Sequence, residues 1–535
     1  MEIEERTRRR KMLQEQKKNM IIAGLTSLLV GVLVYFPILT DWLNHPDGTI
    51  CGNFYRSFGE YLWECGHGRF GLVLFAKMKG LYINPTMSVM LSIFFIAVSG
   101  MLLVAIYQIK SMGKSAALGL VLVLSPTFMC TFTYYFCTDA YLFSFLLSVA
   151  AMACFHFWPN YKGCLLGSLF ICASLSLYQS NIFVTACLCM FYLIFQIFDK
   201  SVSIKDLLKR ACSWIITAIV AVIEYFVLLR FFQKLWQFEL MEGRGFSTMG
   251  EIALSEFPTL FRTMISEFYG YFFGMTMLNN YWKARNVINI ILFICLFVIC
   301  GQLIYLHILN KEKIILLIVA LLLLPLTCTG IILISPKVEY YILMCAPLHL
   351  LYVFVIMLLD KVDMDCIANS KVQKGVRCVD KVIIVAFVAL CYVLIMYAGV
   401  FQSAIKMNLN KTYAIANRIV TQVEMQEPEI QDSLVMVHGN FKYGNYPDSY
   451  QQEMASYILN GTSACDGVVF NSGGNATGIW SGFLRDYLGI QWNYIGGDDY
   501  YRICETPEFK EMPIYPEKGS IKKIDNVVVI KLSYE

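Results

Sequence analysis

The residues with the clearest capacity for chemistry are concentrated in one segment, residues 41–83. Its charged side chains include Asp41, Asp47, Glu60, Glu64, Arg56, Arg69, Lys77 and Lys79. An apolar run precedes the segment and another follows it, so these charges stand close to a membrane face. Carboxylates and cations gathered at a lipid boundary suit a substrate with a lipid-embedded part and an anionic head group. A solvated loop of mixed charge is the structural alternative.

Two shorter segments also carry polar residues between apolar runs. Asp139 lies at the head of a run in YYFCTDAYLF, and Tyr178 and Gln179 lie in SLYQSN. Polar side chains at this depth are costly unless they line a cavity, which makes them candidates for a site. Each also has a structural interpretation, because Asp139 could cap a helix and Gln179 could bond neighbouring helices. Both segments are predicted on the same membrane face as residues 41–83.

The composition predicts the elements that must position these residues. The chain has 535 residues, of which 57% are hydrophobic and 15% charged, too little polar surface for a soluble particle of this size. We therefore predict an all-α multispanning membrane domain with about eleven transmembrane helices. The apolar runs lie near residues 21–40, 84–108, 116–135, 140–157, 164–177, 182–198, 212–235, 286–307, 314–334, 341–359 and 382–401.

Basic residues predict how the spans are oriented in the cytoplasmic membrane. Lys and Arg are abundant before the first span and then in alternate loops, which places the amino terminus inside and the carboxyl terminus outside. The long loop 236–285 is then an outer loop. Its aromatic part, residues 253–284, is predicted to be interfacial or re-entrant, because a further crossing would move the basic loop 360–381 outside.

The composition changes after residue 402, where Gly, Asn, Asp and Tyr become frequent. Short apolar runs such as SLVMVH and NVVVIKL are typical of strands, and YAIANRIVTQVEM is typical of a helix. We therefore predict two domains. Residues 1–402 form a transmembrane unit with the first outer loop at 41–83, and residues 403–535 form a small exoplasmic α/β domain.

Most of the 19 cysteines lie within the predicted spans, where Cys behaves as a small apolar residue. Cys51 and Cys65 share the first outer loop, and Cys465 and Cys504 share the carboxyl-terminal domain. In an oxidising compartment these could form two disulfides, and unpaired thiols are the alternative. No Cys-x-x-Cys metal framework is present in the sequence.

Several motifs resemble those of a known family. NHPDG followed by WECGHGRFGL, then SLSLYQSN, and the closing MPIYPEKGSIKKIDNVVVIKLS are similar to the membrane glucosyltransferases that include the phage-type O-antigen glucosyltransferases (type II Gtr-like). The resemblance implies a GT-C-type architecture, in which a multispanning enzyme takes glucose from a polyprenyl-phosphate donor outside the cytoplasmic membrane. The implied acceptor is a cell-surface glycan. The implied partners are these two substrates and the lipid bilayer, without nucleic acid.

The resemblance also implies roles for individual residues. An acidic residue of the first outer loop acts as base, and Asp47 matches that place best, with Asp41 and Glu64 as further carboxylates. A leaving lipid phosphate needs cations, and Arg69 is the first choice because of its bidentate fork. The remaining assignments are Lys77, Lys79 and Arg56 to the phosphate, Tyr178 and Gln179 to sugar hydroxyls, and Asp139 to the acceptor or a divalent cation, Mg²⁺ or Mn²⁺. One displacement at the anomeric carbon predicts inversion.

Two other functions fit the same sequence. A transporter or flippase for lipid-linked saccharides would show inverted repeats and broken helices, with little need for a separate outer domain. A polymerase or ligase of such saccharides would place its large catalytic loop late among the spans, whereas here the acidic loop comes first.

Overall fold

The computed structural model describes residues 2–43, 61–81, 83–241, 249, 254–273, 284–307, 310–338, 340–361, 370–439 and 474–534. Four of the predicted site residues lie outside these ranges: Asp47, Cys51, Arg56 and Cys465.

Helices form most of the described chain. In order they are α1 (Glu2–Val34), α2 (Phe36–Asp41), α3 (Leu62–Gly66), α4 (Phe70–Met78), α5 (Pro85–Tyr107), α6 (Met112–Val123), α7 (Pro126–Thr131), α8 (Thr138–Phe157), α9 (Tyr161–Leu177), α10 (Ile182–Ile197), α11 (Ile204–Trp236), α12 (Phe257–Phe273), α13 (Ala284–His307), α14 (Lys311–Thr329), α15 (Ile331–Ile334), α16 (Ala346–Lys361), α17 (Ser370–Gln426), α18 (Thr477–Phe483), α19 (Gly497–Cys504) and α20 (Pro507–Lys510).

Eight helices among the described residues are long and apolar enough to cross a membrane. They are Met12–Val34, Pro85–Tyr107, Thr138–Phe157, Gln179–Ile197, Ile204–Trp236, Arg285–Tyr305, Lys311–Thr329 and Arg377–Gln426. The prediction of a helical, multi-pass membrane protein is therefore confirmed. Helix α12, which lies in the predicted outer loop 236–285, has 17 residues and is not one of the eight.

Three further predicted spans are shorter in the structure, so the number of eleven stays a prediction. The run 116–135 is divided between α6 and α7, because the helix ends at Val123 and Pro126 begins the next one. Proline favours such a first position, where its missing N–H costs nothing. Helices α9 and α16 have 17 and 16 residues, at or just below the lower limit of about 17 for a membrane span.

Among the described residues, parts of three basic loops predicted to share one membrane face, near residues 110, 200 and 313, lie together beside Asp360 at one end of the helical bundle. The carboxylate of Asp360 accepts hydrogen bonds from the backbone N–H groups of Lys110 and Ser111, at 2.8 and 3.3 Å. Nearby, the ammonium group of Lys313 donates to the carbonyl of Asp199 at 2.6 Å. We call this the Asp360 end. The chain crosses from it to the opposite end and back between successive basic loops.

Helix α17 connects the bundle to the carboxyl-terminal sheet. It is 57 residues long, about 85 Å at the usual helical rise. Its buried residues up to Ile405 belong to the core of the bundle, and those from Leu409 onward belong to the core of the small domain. The predicted boundary at residue 402 therefore falls inside a continuous helix, close to the position where the helix passes from one core to the other.

The carboxyl-terminal domain contains a four-stranded sheet in the order β2-β1-β4-β3. The strands are β1 (Leu434–His438), β2 (Asn493–Tyr494), β3 (Ile521–Ile524) and β4 (Val527–Lys531). Strand β1 is parallel to β2 and β4, whereas β3 and β4 form an antiparallel hairpin. Helices cover both faces, since Val435 packs with α17 and Met436 packs with α19. The prediction of strands and helices near the carboxyl terminus is confirmed by this small sheet, while the division into two domains and the exoplasmic location stay predictions.

A histidine at the end of β1 gives this domain a pH dependence. The ring of His438 stacks on Tyr500, and its Nδ1 lies 2.6 Å from the Tyr500 hydroxyl oxygen. Burial, and then the charge of Lys531, lower the pKa of His438 to about 4. An unfolded histidine takes up its proton near pH 6.5, so only the unfolded state gains the proton between these two values. The stability contributed by neutral His438 is complete above about pH 6.5 and is lost as the pH falls toward 4.

We therefore expect the carboxyl-terminal domain of the intact protein to open more readily at pH 5 than at pH 7. Limited proteolysis at the two pH values measures this opening. In His438→Asn, which cannot titrate, the rise in cleavage between pH 7 and pH 5 should be smaller. His156→Asn, in the bundle, is the matched control and should respond as the wild type does. An equal rise in His438→Asn would contradict the assignment.

Candidate functional site

The end of the bundle opposite the Asp360 end carries most of the predicted site residues, and we call it the Arg69 end. It is formed by residues 61–81, 132–139 and 178–181. Between α3 and α4 the chain reverses at Gly68, which has φ +77°, a conformation that glycine adopts without steric cost. The backbone N–H of Arg69 then bonds to the carbonyl of Glu64 at 2.9 Å. This tight turn brings the two side chains together, although five residues separate them in sequence.

Arg69 and Glu64 form a buried ion pair. Nη1 of Arg69 lies 2.8 Å from Oε2 of Glu64, and the two side chains are 10% and 1% exposed. Burial alone would lower the pKa of Arg69, but its neighbours, Tyr141 first and then Glu64, hold that pKa above its usual range. The guanidinium therefore stays charged. Its Nε is buried and has no hydrogen-bond partner among the residues that the structure describes.

Two tyrosines flank the guanidinium. The rings of Tyr141 and Tyr178 stack on each other with centroids 4.3 Å apart. The guanidinium carbon of Arg69 lies 5.8 Å from the centroid of each ring, which is within the range of a cation–π contact. The guanidinium therefore contacts the aromatic pair as well as Glu64.

Arg69 lines a cleft at this end of the bundle. Other lining residues are His67, Tyr178, Gln179, Ser180, Ile331 and Ser335. The cleft holds about 40 Å³ of enclosed space and about 400 Å³ when its open mouth is included. The enclosed part has room for only a few water molecules. A larger ligand would therefore occupy the mouth and reach the guanidinium with one end.

Gln179 ties the turn to the neighbouring spans. Its amide nitrogen donates to the carbonyl of His67 at 2.8 Å and lies 3.3 Å from the hydroxyl of Tyr225. The Tyr225 hydroxyl donates in turn to the carbonyl of Gly68 at 2.9 Å. The backbone carbonyls of His67 and Gly68, in the turn, thus accept hydrogen bonds from side chains elsewhere in the bundle. Gln179 therefore bonds neighbouring segments of the bundle, as its structural interpretation predicted. It also lines the cleft.

Lys79 and Asp139 form a second buried pair. The ammonium nitrogen lies 2.5 Å from Oδ2 of Asp139, whose side chain is fully buried. The hydroxyl of Ser88 donates to the same oxygen at 3.2 Å, and the backbone N–H of Ala140 donates to Oδ1 at 3.0 Å. Asp139 lies in the first turn of α8, where the helix dipole favours a negative charge. Both of its oxygens are therefore engaged.

These contacts do not fit the divalent cation considered for Asp139. Its carboxylate already faces an ammonium group, which would repel a metal ion. Across the part of the chain that the structure describes, no three His, Cys, Asp or Glu side chains come together as ligands.

The other predicted site residues have separate partners. The ammonium group of Lys77 lies 5.4 Å from the ring centroid of Trp236. Asp41, at the end of α2, pairs with Lys406 of α17 at 2.7 Å, and both side chains are partly exposed. Cys65 is buried beside this turn, and burial raises the pKa of its thiol to about 12. The two disulfides stay predictions, because each needs a cysteine outside the described residues.

The sequence-based site lacked three residues that the structure brings into it: Tyr141, Tyr225 and Ser88. Tyr141 follows Asp139 by two residues, and Tyr225 follows Glu224, a carboxylate near the middle of α11. Glu224 itself accepts a hydrogen bond from Ser168 at 3.1 Å. A tyrosine within two residues of an acid in an apolar run was thus an available signal, but it does not reveal which helix the hydroxyl faces.

The structure thus defines a multi-pass membrane protein with a buried, charged cluster at one end of its helices. Over residues 59–360, more than half of its length, the chain matches the family described as Glucosyl transferase GtrII, and it belongs to that family. The resemblance seen in the motifs is confirmed, and with it a glycosyltransferase role. Glu64, Arg69 and Asp139 lie within the match, whereas Asp41 and Asp47 precede it. No curated protein and no solved structure matches the chain.

A close helix contact supports the position of Arg69 and can be tested. A Cβ added at Gly71 would lie 2.2 Å from the hydroxyl oxygen and 2.8 Å from the carbonyl oxygen of Ser176. Gly71→Ala should therefore force α4 away from α9 and destabilise the protein by roughly 1–3 kcal/mol. Thermal unfolding of the purified protein in detergent measures the change.

Gly301→Ala is the matched control, because an added Cβ at that helical position meets nothing within 4 Å. It should leave the protein unchanged or stabilise it by about 0.5–1 kcal/mol, since alanine is the better helix former. An unfolding midpoint for Gly71→Ala at or above that of Gly301→Ala would refute the close packing of α4 on α9.

Proposed function

We propose that the protein transfers glucose from a polyprenyl-phosphate donor to a cell-surface glycan on the outer face of the cytoplasmic membrane. The observation that carries this proposal is the buried guanidinium of Arg69, which lines a cleft at one end of a bundle of apolar helices. A donor with an apolar tail and a phosphate head presents the same combination of an apolar region and a single anionic group.

The donor phosphate is assigned to Arg69. A guanidinium offers donors in a planar fork that matches phosphate oxygens, and one of its donors, Nε, has no partner among the described residues. Glu64 uses Nη1 and holds the group in place. When the glycosidic bond breaks, charge develops on the phosphate, and a cation already fixed in a buried site stabilises it without reorganisation.

Lys79 and Lys77 are assigned to the same head group from the side of the interface. Asp139 positions Lys79 in this proposal and does not contact the acceptor. Tyr178 and Gln179 line the cleft and are assigned to sugar hydroxyls. Lys79 is only partly buried, at 22% exposure, so part of its side chain stays accessible to a ligand. Arg56 belongs to the same loop and is kept as a further phosphate ligand.

Asp47 is proposed as the base that accepts the proton of the acceptor hydroxyl. Each described carboxylate considered for this role has a cationic partner: Asp41 has Lys406, and Glu64 has Arg69. Each of these carboxylates already has an oxygen in contact with a cation, so it is less available to an acceptor hydroxyl. A single displacement by the activated hydroxyl inverts the anomeric centre, as a GT-C-type enzyme of this class would.

The proposed orientation places the Arg69 end outside the membrane and the Asp360 end in the cytoplasm. The basic residues at the Asp360 end support it, because Lys and Arg are retained on the cytoplasmic side. The proposed topology has eleven spans, an internal amino terminus and an exoplasmic carboxyl-terminal domain. The small domain would then lie on the side where the glycan acceptor is found.

Arg69→Lys tests the phosphate site. The substitution keeps the charge but removes the fork, so glucose transfer from a polyprenyl-phosphate donor should fall about 10²-fold. The measurement is the initial rate of transfer to glycan in membranes that contain equal amounts of protein. Arg230→Lys, an exposed arginine of α11 that contacts Gln233, is the matched control and should keep the wild-type rate. A normal rate in Arg69→Lys would remove Arg69 from the phosphate site.

Asp47→Asn tests the base. Loss of the proton acceptor should lower the same rate by about 10²- to 10⁴-fold while leaving membrane insertion intact. Asp41→Asn and Glu64→Gln, measured in parallel, separate the candidates. Glu64→Gln should weaken donor use through Arg69, so its defect should appear mainly in the donor KM. Full activity of Asp47→Asn together with loss in Asp41→Asn would transfer the role to Asp41.

A further inference from the structure

A groove runs along the membrane-spanning part of the bundle, between α10, α11 and α14. Its enclosed volume is about 440 Å³, within the range of roughly 300–1,000 Å³ that is usual for sites of small molecules. Its lining is almost entirely apolar and includes Ile171, Cys189, Met190, Trp214, Ala218 and Leu316. None of these residues belongs to the cluster around Arg69.

The groove opens sideways. Its rim carries Leu208, Ile215 and Leu323, which are exposed, while Cys189 and Leu207 in its lining are buried. All three helices that form it are among the membrane-crossing helices, so the exposed rim faces lipid. A chain lying in the bilayer can therefore enter the groove without crossing water.

One end of the groove lies beside the cleft that contains Arg69. Ile182 lines the groove, and Ser180, two residues earlier, lines the cleft. On the facing helix Thr327 lines the groove, and Ile331, one helical turn later, lines the cleft. The same two chain segments thus form both spaces in succession. A ligand that occupied both would have an apolar chain in the groove and an anionic group at the arginine.

We propose that the groove binds the polyprenyl tail of the donor while the donor phosphate is held at Arg69. The inference rests on the proposed function in taking the donor to be a polyprenyl phosphate. One groove leading to one buried cation suits a ligand with a single tail. The polarizable side chains Cys189, Met190 and Trp214 adapt to an unsaturated, methyl-branched chain.

The groove affects the position of the donor lipid more than the affinity with which the protein binds it. A lipid tail is already in an apolar medium, so moving it from bilayer to protein gains packing contacts but no hydrophobic free energy. Its contribution is to hold the phosphate at one depth and in one direction relative to the cleft. Selection of the tail then depends on its shape, and filling the groove should exclude long tails while sparing short ones.

The test is native mass spectrometry of the purified full-length protein in detergent, with three lipids supplied at equal concentration. These are a long-chain polyprenyl phosphate, geranyl phosphate and phosphatidylglycerol. The wild type should retain the long-chain polyprenyl phosphate. Ala218→Trp fills the groove and should lower that retention at least about fivefold, as overpacking of this size predicts. Retention of geranyl phosphate, whose short tail does not need the groove, should be unchanged.

Val220→Trp is the matched control, because Val220 lies two residues further along α11, is exposed and does not line the groove. It should retain lipid as the wild type does. Ala186→Trp, from the facing helix α10, gives an independent block if Ala218→Trp does not fold. Equal retention of the long-chain lipid in the folded groove variants and the wild type would overturn the inference. So would retention of phosphatidylglycerol that the polyprenyl phosphate does not displace.

The two proposals fail in different ways. A wild type that retains the polyprenyl phosphate through the groove but transfers no glucose would refute the proposed function and leave the groove assignment standing. A protein that transfers glucose equally well with Ala218→Trp and with Val220→Trp would refute the groove assignment and leave the transferase function standing.

Discussion

The structure of the site depends on a charged guanidinium that is held out of water. Removing a cation from water is costly, and a single carboxylate seldom returns more than it costs, so the Arg69–Glu64 pair contributes little net stability. The ion pair instead fixes the position of the Arg69 guanidinium. The reversal at Gly68 and the two hydrogen bonds to the carbonyls of the turn all act to keep the guanidinium in one place. A site that stabilises charge developing during a reaction works best when its cation is already held in place.

The two buried acids, Glu64 and Asp139, differ in how fully their contacts are used. Glu64 occupies one nitrogen of a guanidinium and leaves another without a partner among the described residues, so a ligand can share the cation. Asp139 is fully buried, and a lysine, a serine and a backbone N–H engage both of its oxygens. A fully buried carboxylate with both oxygens engaged in this way has little capacity to bind a sugar. The ion pair with Asp139 instead restricts the position of the Lys79 ammonium group.

The parts of the fold that depend on hydropathy and length could be predicted from sequence. Apolar runs locate the spans, and basic loops collect at the Asp360 end. The break at Pro126 and the 57-residue helix α17 were not predicted. The composition becomes polar after residue 402, but KMNLNKTYAIANRIV contains no Gly or Pro to stop a helix, so the helix continues. In the site, the cost of burying polar groups made Gln179 a candidate, and the cation that a leaving phosphate needs made Arg69 one. The pairing of Lys79 with Asp139, 60 residues away, requires the packed structure.

A bilayer changes what an apolar groove can do for an enzyme. In water, burying a chain of this kind would supply a large part of the binding free energy. Within the membrane that term is absent, because the tail leaves one apolar surrounding for another. The head group must then supply most of the affinity through a few charge-assisted contacts, and these are strong only where water is excluded. Under the proposed function, this requirement accounts for a cation in a buried turn at the end of the helices. A lysine on an exposed loop would attract the head group but could not hold the anomeric carbon of its sugar in line with an acceptor hydroxyl.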